Sequence, residues 1–199
     1  MTSHAASATI LHRATGHSSL ATSIKVASVA LAVAVTAAAA QVSFPLPLTD
    51  VPFVLTPMAV ILTGAALGSR LGAFAQASYL LLGVLGLQVF APDPRLPQGM
   101  LRLIGPTGGY LMASPLAAFV TGWLSERGWD RRYVTSLAAM LVGLAIIYLG
   151  GISWRLGLLG SFDLVVATSV APFLIPDLLK AAAAAMILPG AWKFLGTRQ

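Results

Sequence analysis

Five long apolar runs, each closed by a polar or proline-rich break, organise this chain ahead of a sixth, less regular stretch. The runs cover about 24–40, 53–67, 71–90, 108–124 and 133–152. Each approaches the length of a helix that spans a bilayer core of about 30 Å, roughly 20 residues, or fewer where the membrane thins locally. The stretch 156–195 is too long for one span and too short for two with a loop. Pro172 and Pro176 divide it, because proline suits the first turn of a helix and breaks its interior. This places a sixth helix at about 176–194 and makes 156–171 a short helix or re-entrant segment packed against protein. The predicted fold is an all-α integral membrane bundle of six transmembrane helices, with that extra segment before helix six. It occupies one domain, 23–196, behind a disordered tail, 1–22, that carries His4, His12 and His17.

Composition agrees. Apolar residues make up 57% of the 199 residues and charged residues 9%, where a soluble domain carries about 25% charge. The mean hydropathy is +0.86. The net charge of +6 lies mostly at the ends of apolar runs, where membrane topology explains it without nucleic acid. With the N-terminus inside, Arg13, Lys25, Arg70, Arg127, Arg131, Arg132, Lys193 and Arg198 face the cytoplasm. Arg95, Arg102 and Arg155 face outward, so the balance supports six spans with both termini cytoplasmic. An alternative concerns the first run, which ends in Ala38-Ala39-Ala40 and also resembles a signal peptide. Cleavage there leaves a mature start at Gln41, which intact-mass measurement of the membrane-extracted protein detects.

Between Asp163 and Lys193 the chain runs for 29 residues with only Asp177 and Lys180 charged. A charge at bilayer depth costs at least about 2.5–3.5 kcal/mol on insertion scales. The pair therefore answers to internal pairing, a water-filled cavity or a ligand. Three residues apart on a helix, the two share a face, and Asp177 falls in the expected first turn of helix six, where the dipole favours an anion. Gly105-Pro106-Thr107-Gly108-Gly109-Tyr110 opens helix four on the same side, with Arg102 just before it. Gly108 and Gly109 allow either close packing or exposed N–H groups that bind an anion or carbonyl. Tyr79 and Tyr110 are candidates to line a pocket. The segment 44–53, with three prolines, reads as a stiff outer loop, either a lid or a plain connector. Ala30, Ala34 and Ala38 form one small-residue stripe on helix one, and Ser28, Ala32, Thr36 and Ala40 another. Each suits partner docking or packing inside the bundle.

Absences narrow the class. No P-loop sequence is present, so this chain does not bind ATP that way. No His or Cys lies in the bundle, so a metal site, a cofactor or a nucleophilic dyad is poorly supplied. An enzyme is disfavoured. A structural membrane protein, in which Asp177 and Lys180 only neutralise each other, stays as an alternative.

Val-Pro-Phe-Val-Leu-Thr-Pro-Met (51–58), Tyr-Leu-Leu-Leu-Gly-Val-Leu-Gly-Leu-Gln (79–88), Gly-Pro-Thr-Gly-Gly-Tyr-Leu (105–111) and Pro-Phe-Leu-Ile-Pro-Asp-Leu-Leu-Lys-Ala (172–181) run in order. Together they resemble the BioY family, the biotin-specific substrate-binding (S) components of energy-coupling factor transporters, over about 44–190. The chain departs from the family's usual Pro-Ile-Thr-Leu-Gln-Thr at 52–57 and from its Pro-Gly-Asp at 175–177, and keeps Asp177 and Lys180. The resemblance implies a bacterial inner-membrane protein that captures biotin from outside. It implies inward transport with a transmembrane coupling subunit and two ATPases, docked along Ala30, Ala34 and Ala38. Asp177 would accept from the ureido N–H groups, and Lys180 or Arg102 would pair with the carboxylate. Gly108, Gly109, Tyr110 and Tyr79 would serve the remaining groups. Another vitamin on the same scaffold is the nearest alternative.

Overall fold

The computed structural model of the protein describes residues 21–47 and 49–196. Over these residues the chain is mostly helical: α1 (Ala21–Gln41), α2 (Thr56–Leu67), α3 (Ser69–Val84), α4 (Leu101–Ile104), α5 (Gly108–Glu126), α6 (Tyr133–Leu159), α7 (Phe162–Val165) and α8 (Ala171–Gly196). An antiparallel ribbon, β1 (Ser43–Phe44) and β2 (Phe53–Val54), closes the connection from α1 to α2 and sets Phe44 opposite Phe53. The tail expected at 1–22, with its histidines and Arg13, lies outside the described residues except for Ala21 and Thr22, which already belong to α1. Arg198 lies outside them too.

A helix of at least 12 residues stands at each of the six apolar runs. By length and apolar composition, three stretches can cross a membrane: Thr22–Gln41, Tyr133–Leu159 and Phe162–Lys193. The helices α2 and α3, of 12 and 16 residues, are shorter. Gly68 alone separates them, at φ 89°, a left-handed conformation that glycine adopts without strain.

The last third departs from the sequence expectation. Helix α6 continues past 152 to Leu159 and stops at Gly160, at φ 67°. From Phe162 the chain is helical without a break, through a π-helical turn at Val166–Val170 into α8. Pro172 and Pro176 therefore sit inside a helical run, where they were expected to begin one. The wide turn lies immediately before Pro172 and displaces the carbonyls that its ring would otherwise meet. Two consequences follow. The segment 156–171 is not a separate re-entrant piece, and Asp177 lies in a helix interior, beyond the reach of an N-terminal dipole.

Helix α5 is the hub, packed against α2, α3 and α6, while α8 closes on α6 and α2. The core joins Val60, Ile61 and Ala65 of α2 to Ala117 and Ala118 of α5. It continues through Met140, Leu144 and Ile147 of α6 to Ala181, Ala184 and Leu188 of α8. Half of its buried members are alanines, as expected where helices gain no hydrophobic drive from lipid and associate by close backbone approach. Leu31, Leu149 and Leu179, each about two-thirds exposed, look outward, as suits contact with hydrocarbon. The stripes on α1 divide: Ala30, Ala34 and Ala38 are exposed, whereas Ala32, Thr36 and Ala40 are buried in the bundle. Thr36 and Thr63 accept from Nε2 of the fully buried Gln76, both at 3.0 Å, which pins α1, α2 and α3 together.

The tightest approach is α2 on α5. A methyl group on Gly64 would stand 2.6 Å from the Ala118 carbonyl oxygen and 2.7 Å from its Cα. Both are backbone atoms of a central helix and have little room to yield. Gly64→Ala is therefore expected to lower stability by about 1–3 kcal/mol. Thermal unfolding of the detergent-solubilised protein checks this, and an unchanged transition would show that the two helices separate freely.

Candidate functional site

One end of the bundle is hollow. A cavity opens there, about 790 Å³ when the space out to its open mouth is counted. Its walls come from the segment before α2 (Val51, Pro52, Val54), from α2 (Thr56, Pro57, Val60) and α3 (Tyr79), and from the next connection (Phe90, Ala91, Arg102, Thr107). Tyr110, Leu111 and Ser114 of α5, Ile147 and Tyr148 of α6, Ser169 of the π turn, and Phe173, Asp177 and Lys180 of α8 complete it. The lining is chiefly apolar, with a few polar groups converging on it.

Asp177 and Lys180 form the polar centre. Lys180 Nζ donates to Asp177 Oδ1 at 2.7 Å and to the Val54 carbonyl at 2.6 Å. It also stands 3.7 Å from the centre of the Phe53 ring. Tyr148 Oη donates to the other carboxylate oxygen, Oδ2, at 2.8 Å. Both charged side chains are less than a tenth exposed. A buried ion pair is tolerable only where further hydrogen bonds satisfy its remaining lone pairs and protons, and the Tyr148 hydroxyl and the Val54 carbonyl supply them.

Arg102 is the second cation on the wall. Only 2% exposed, it donates from Nη2 to the Ala91 carbonyl at 2.9 Å and from Nη1 to the Pro97 carbonyl at 3.4 Å. Its Nε and the nearby-in-sequence Thr107 Oγ1 are buried and lack hydrogen-bond partners within the protein. Asp93, an electrostatic neighbour of Arg102, is hydrogen-bonded by Arg95, with Nη2–Oδ2 at 2.8 Å and Nε–Oδ1 at 3.0 Å. The guanidinium of Arg95 holds the Asp93 carboxyl below the usual carboxylate range, against the opposing effect of partial burial. Among the described lining residues, one carboxylate thus faces two cations.

The aromatic walls are braced. Tyr110 Oη donates to the Ser169 carbonyl at 3.0 Å, and its ring meets that of Tyr148 edge to face. Tyr79 donates to the Val89 carbonyl at 3.2 Å and packs edge to face on Phe90. Such pairs hold ring orientation as well as area.

Of the residues singled out in the sequence, Asp177, Lys180, Arg102, Tyr110 and Tyr79 line this cavity. Gly108 and Gly109 do not. A side chain on Gly108 would run into the Leu103 carbonyl, and one on Gly109 into Trp154 and the Gly150 carbonyl. Their backbone is committed to packing α5 against the turn before it and against α6. Tyr148, Ser169, Ser114 and Thr107 line the cavity without having been singled out. A lone hydroxyl within an apolar run, as at Tyr148, Ser169 and Ser114, shows nothing in sequence beyond its need for a partner once buried, and Thr107 reads only as part of the glycine-rich turn. The proline-rich loop before α2 does contribute wall residues, at Val51, Pro52 and Val54.

The BioY family model matches residues 12–197. A probable biotin transporter BioY from Pyrococcus horikoshii is 42% identical over 137 residues, which covers 69% of this chain and 78% of that protein. The biotin transporter BioY of Thermotoga maritima is 38% identical over 142 residues, 71% of this chain and 81% of that one. Among solved structures, the S-component for biotin from an ECF-type ABC transporter matches with a TM-score of 0.78. It covers 89% of this chain and 95% of its own, at 22% identity. At that identity the likeness speaks to the fold.

Proposed function

Because this chain belongs to the BioY family, we propose that it is the biotin-binding membrane component of an energy-coupling factor uptake transporter. The observation that carries the reading is the buried Asp177–Lys180 pair, with Tyr148 on the second carboxylate oxygen, set in a largely apolar cavity. Biotin presents two ureido N–H donors and one carbonyl at one end, a thioether ring in the middle and a valerate carboxylate at the other. Asp177 accepts from the ureido N–H groups, and such charge-assisted bonds are about twice as strong as neutral ones. Val60, Leu111, Ile147 and Phe173 hold the ring system and chain.

The carboxylate goes to Arg102. Lys180 is already neutralised by Asp177 at 2.7 Å, whereas Arg102 hydrogen-bonds carbonyls, has Asp93 only as an electrostatic neighbour, and keeps an unpartnered Nε. Thr107 Oγ1 supplies a further polar group on that wall. The protein binds its ligand without transforming it.

In the membrane, all six long helices span, the shorter α2 and α3 with local thinning of the bilayer. The cavity then opens outward, and the end bearing Arg70, Arg127 and Arg131 faces the cytoplasm of a bacterial inner membrane. A transmembrane coupling subunit docks along the exposed Ala30, Ala34 and Ala38, where small side chains permit close helix approach. Two ATPase subunits supply the energy that this chain, without a P-loop, does not.

Titration calorimetry on the detergent-purified chain tests the ligand assignment, with thiamine and riboflavin as controls. One-to-one binding of biotin alone is expected. A folded sample that ignores biotin would overturn the assignment and leave the scaffold.

A further inference from the structure

The segment Asp50–Val54 crosses the cavity wall, contributing Val51, Pro52 and Val54, and it is tied at both ends by buried cations from distant helices. At its far end Lys180 Nζ holds the Val54 carbonyl at 2.6 Å. At its near end Asp50 Oδ2 stands 4.0 Å from Arg155 Nη1. The Thr49 hydroxyl accepts from the Val51 N–H at 3.0 Å, and this turn presents Asp50 toward the arginine. We propose that Asp50–Val54 is an ion-pinned strap, and that the Asp50–Arg155 pair is a weak latch setting how long the bound ligand stays. Arg155 is thus a positioning residue acting through the strap. The inference rests on the biotin reading above.

The pair is asymmetric, which makes it a latch. The Arg155 side chain is 3% exposed and that of Asp50 69%. Arg155 is fixed by its other nitrogens: Nε donates to Ser169 Oγ at 2.9 Å and Nη2 to Thr168 Oγ1 at 3.2 Å. Both acceptors sit on the π turn, whose Ser169 also lines the cavity and whose carbonyl takes the Tyr110 hydroxyl. The arginine therefore keeps its bonds when the strap lifts, and only the exposed carboxylate moves into water. Opening withdraws the counter-ion from a buried arginine, but the 4.0 Å separation and the exposed carboxylate keep the pair weak and open to screening by salt. The pin at Val54 behaves differently. It uses the lysine that neutralises Asp177, so ligand contact at Asp177 and closure of the strap share one side chain. Asp50 is also an electrostatic neighbour of Arg95, whose Nη1 donates to the Thr49 carbonyl at 3.2 Å, so an Arg95→Gln variant serves as control.

The experiment is the dissociation rate of labelled biotin from the full-length protein in lipid nanodiscs. Asp50→Asn, at an exposed site that leaves folding intact, is expected to speed release by about three-fold, as an exposed pair supports, with association little changed. Arg155→Gln gives a similar gain, the double variant gives no more than either alone, and Arg155→Lys restores most of the slow release. Raising ionic strength speeds release from the wild type and leaves Asp50→Asn flat. An unchanged rate in Asp50→Asn, or effects of the two variants that multiply, would overturn the latch while biotin binding stands. Loss of the Asp50→Asn effect in an Arg95→Gln background would overturn the assignment to Arg155. Failure of the wild type to bind biotin at all would overturn both readings.

Discussion

Asp177→Asn is expected to weaken biotin binding by about a hundred-fold, measured by calorimetry on the purified chain. Hydrogen bonds to a charged group contribute about 1.5–3 kcal/mol each, and an amide cannot accept from both ureido donors as the carboxylate does. The substitution also removes the counter-ion of Lys180, 2.7 Å away and buried. Breaking one half of a buried pair costs about 3–5 kcal/mol, so stability falls as well. Two effects therefore coincide, and a second variant separates them. Asp177→Asn together with Lys180→Met removes both charges. Stability is expected to recover largely, because a neutral pair no longer strands a charge, whereas binding is expected to stay weak. If binding recovers with stability, Asp177 serves the fold and not the ligand.

Arg102→Gln carries the second large effect, about a ten- to hundred-fold loss in biotin affinity, the range for one or two charge-assisted bonds. The diagnostic is the ligand. Biotinamide lacks the carboxylate charge, so wild type and variant should bind it with similar affinity. A variant that loses biotin and biotinamide equally has lost the wall that Arg102 builds through the Ala91 and Pro97 carbonyls, and the carboxylate would then belong elsewhere. Because Lys180 already donates to Asp177 and to Val54, a Lys180→Met variant is not expected to discriminate between these ligands.

Residues whose type is costly in a membrane stood out in the sequence, and those whose role depends on a neighbour did not. Asp177 and Lys180 break a run of apolar residues, and a charge there demands a partner wherever the helix packs. Arg102 and Tyr110 stood out through their place beside a glycine-rich turn. Tyr148 lies in the middle of an apolar helix, and nothing in 133–159 says that its hydroxyl reaches Asp177, 29 residues on. Gly108 and Gly109 read equally well as an anion cradle or a packing surface. Leu103 beside Gly108, and Gly150 and Trp154 of α6 beside Gly109, occupy the space that side chains there would need, which accounts for both glycines by packing. Arg155 reads as a topology signal, and only the tertiary structure shows it buried against the π turn with one nitrogen toward Asp50.

The membrane class, the helical composition and the places where the chain turns were decided by the sequence itself. They follow from transfer energies and from backbone rules that act within a few residues, at Gly68 and at the polar turn before α6. The path of the last third was not decided that way. Two prolines locally favour a break, yet a π turn placed just before Pro172 accommodates the first, and the packing of α8 against α6 and α2 sustains the helix past Pro176. The site likewise belongs to the tertiary structure. Lys180 holds a carbonyl 126 residues away in the chain, and a contact of that span is set by how helices pack and not by any local preference of the residues that make it.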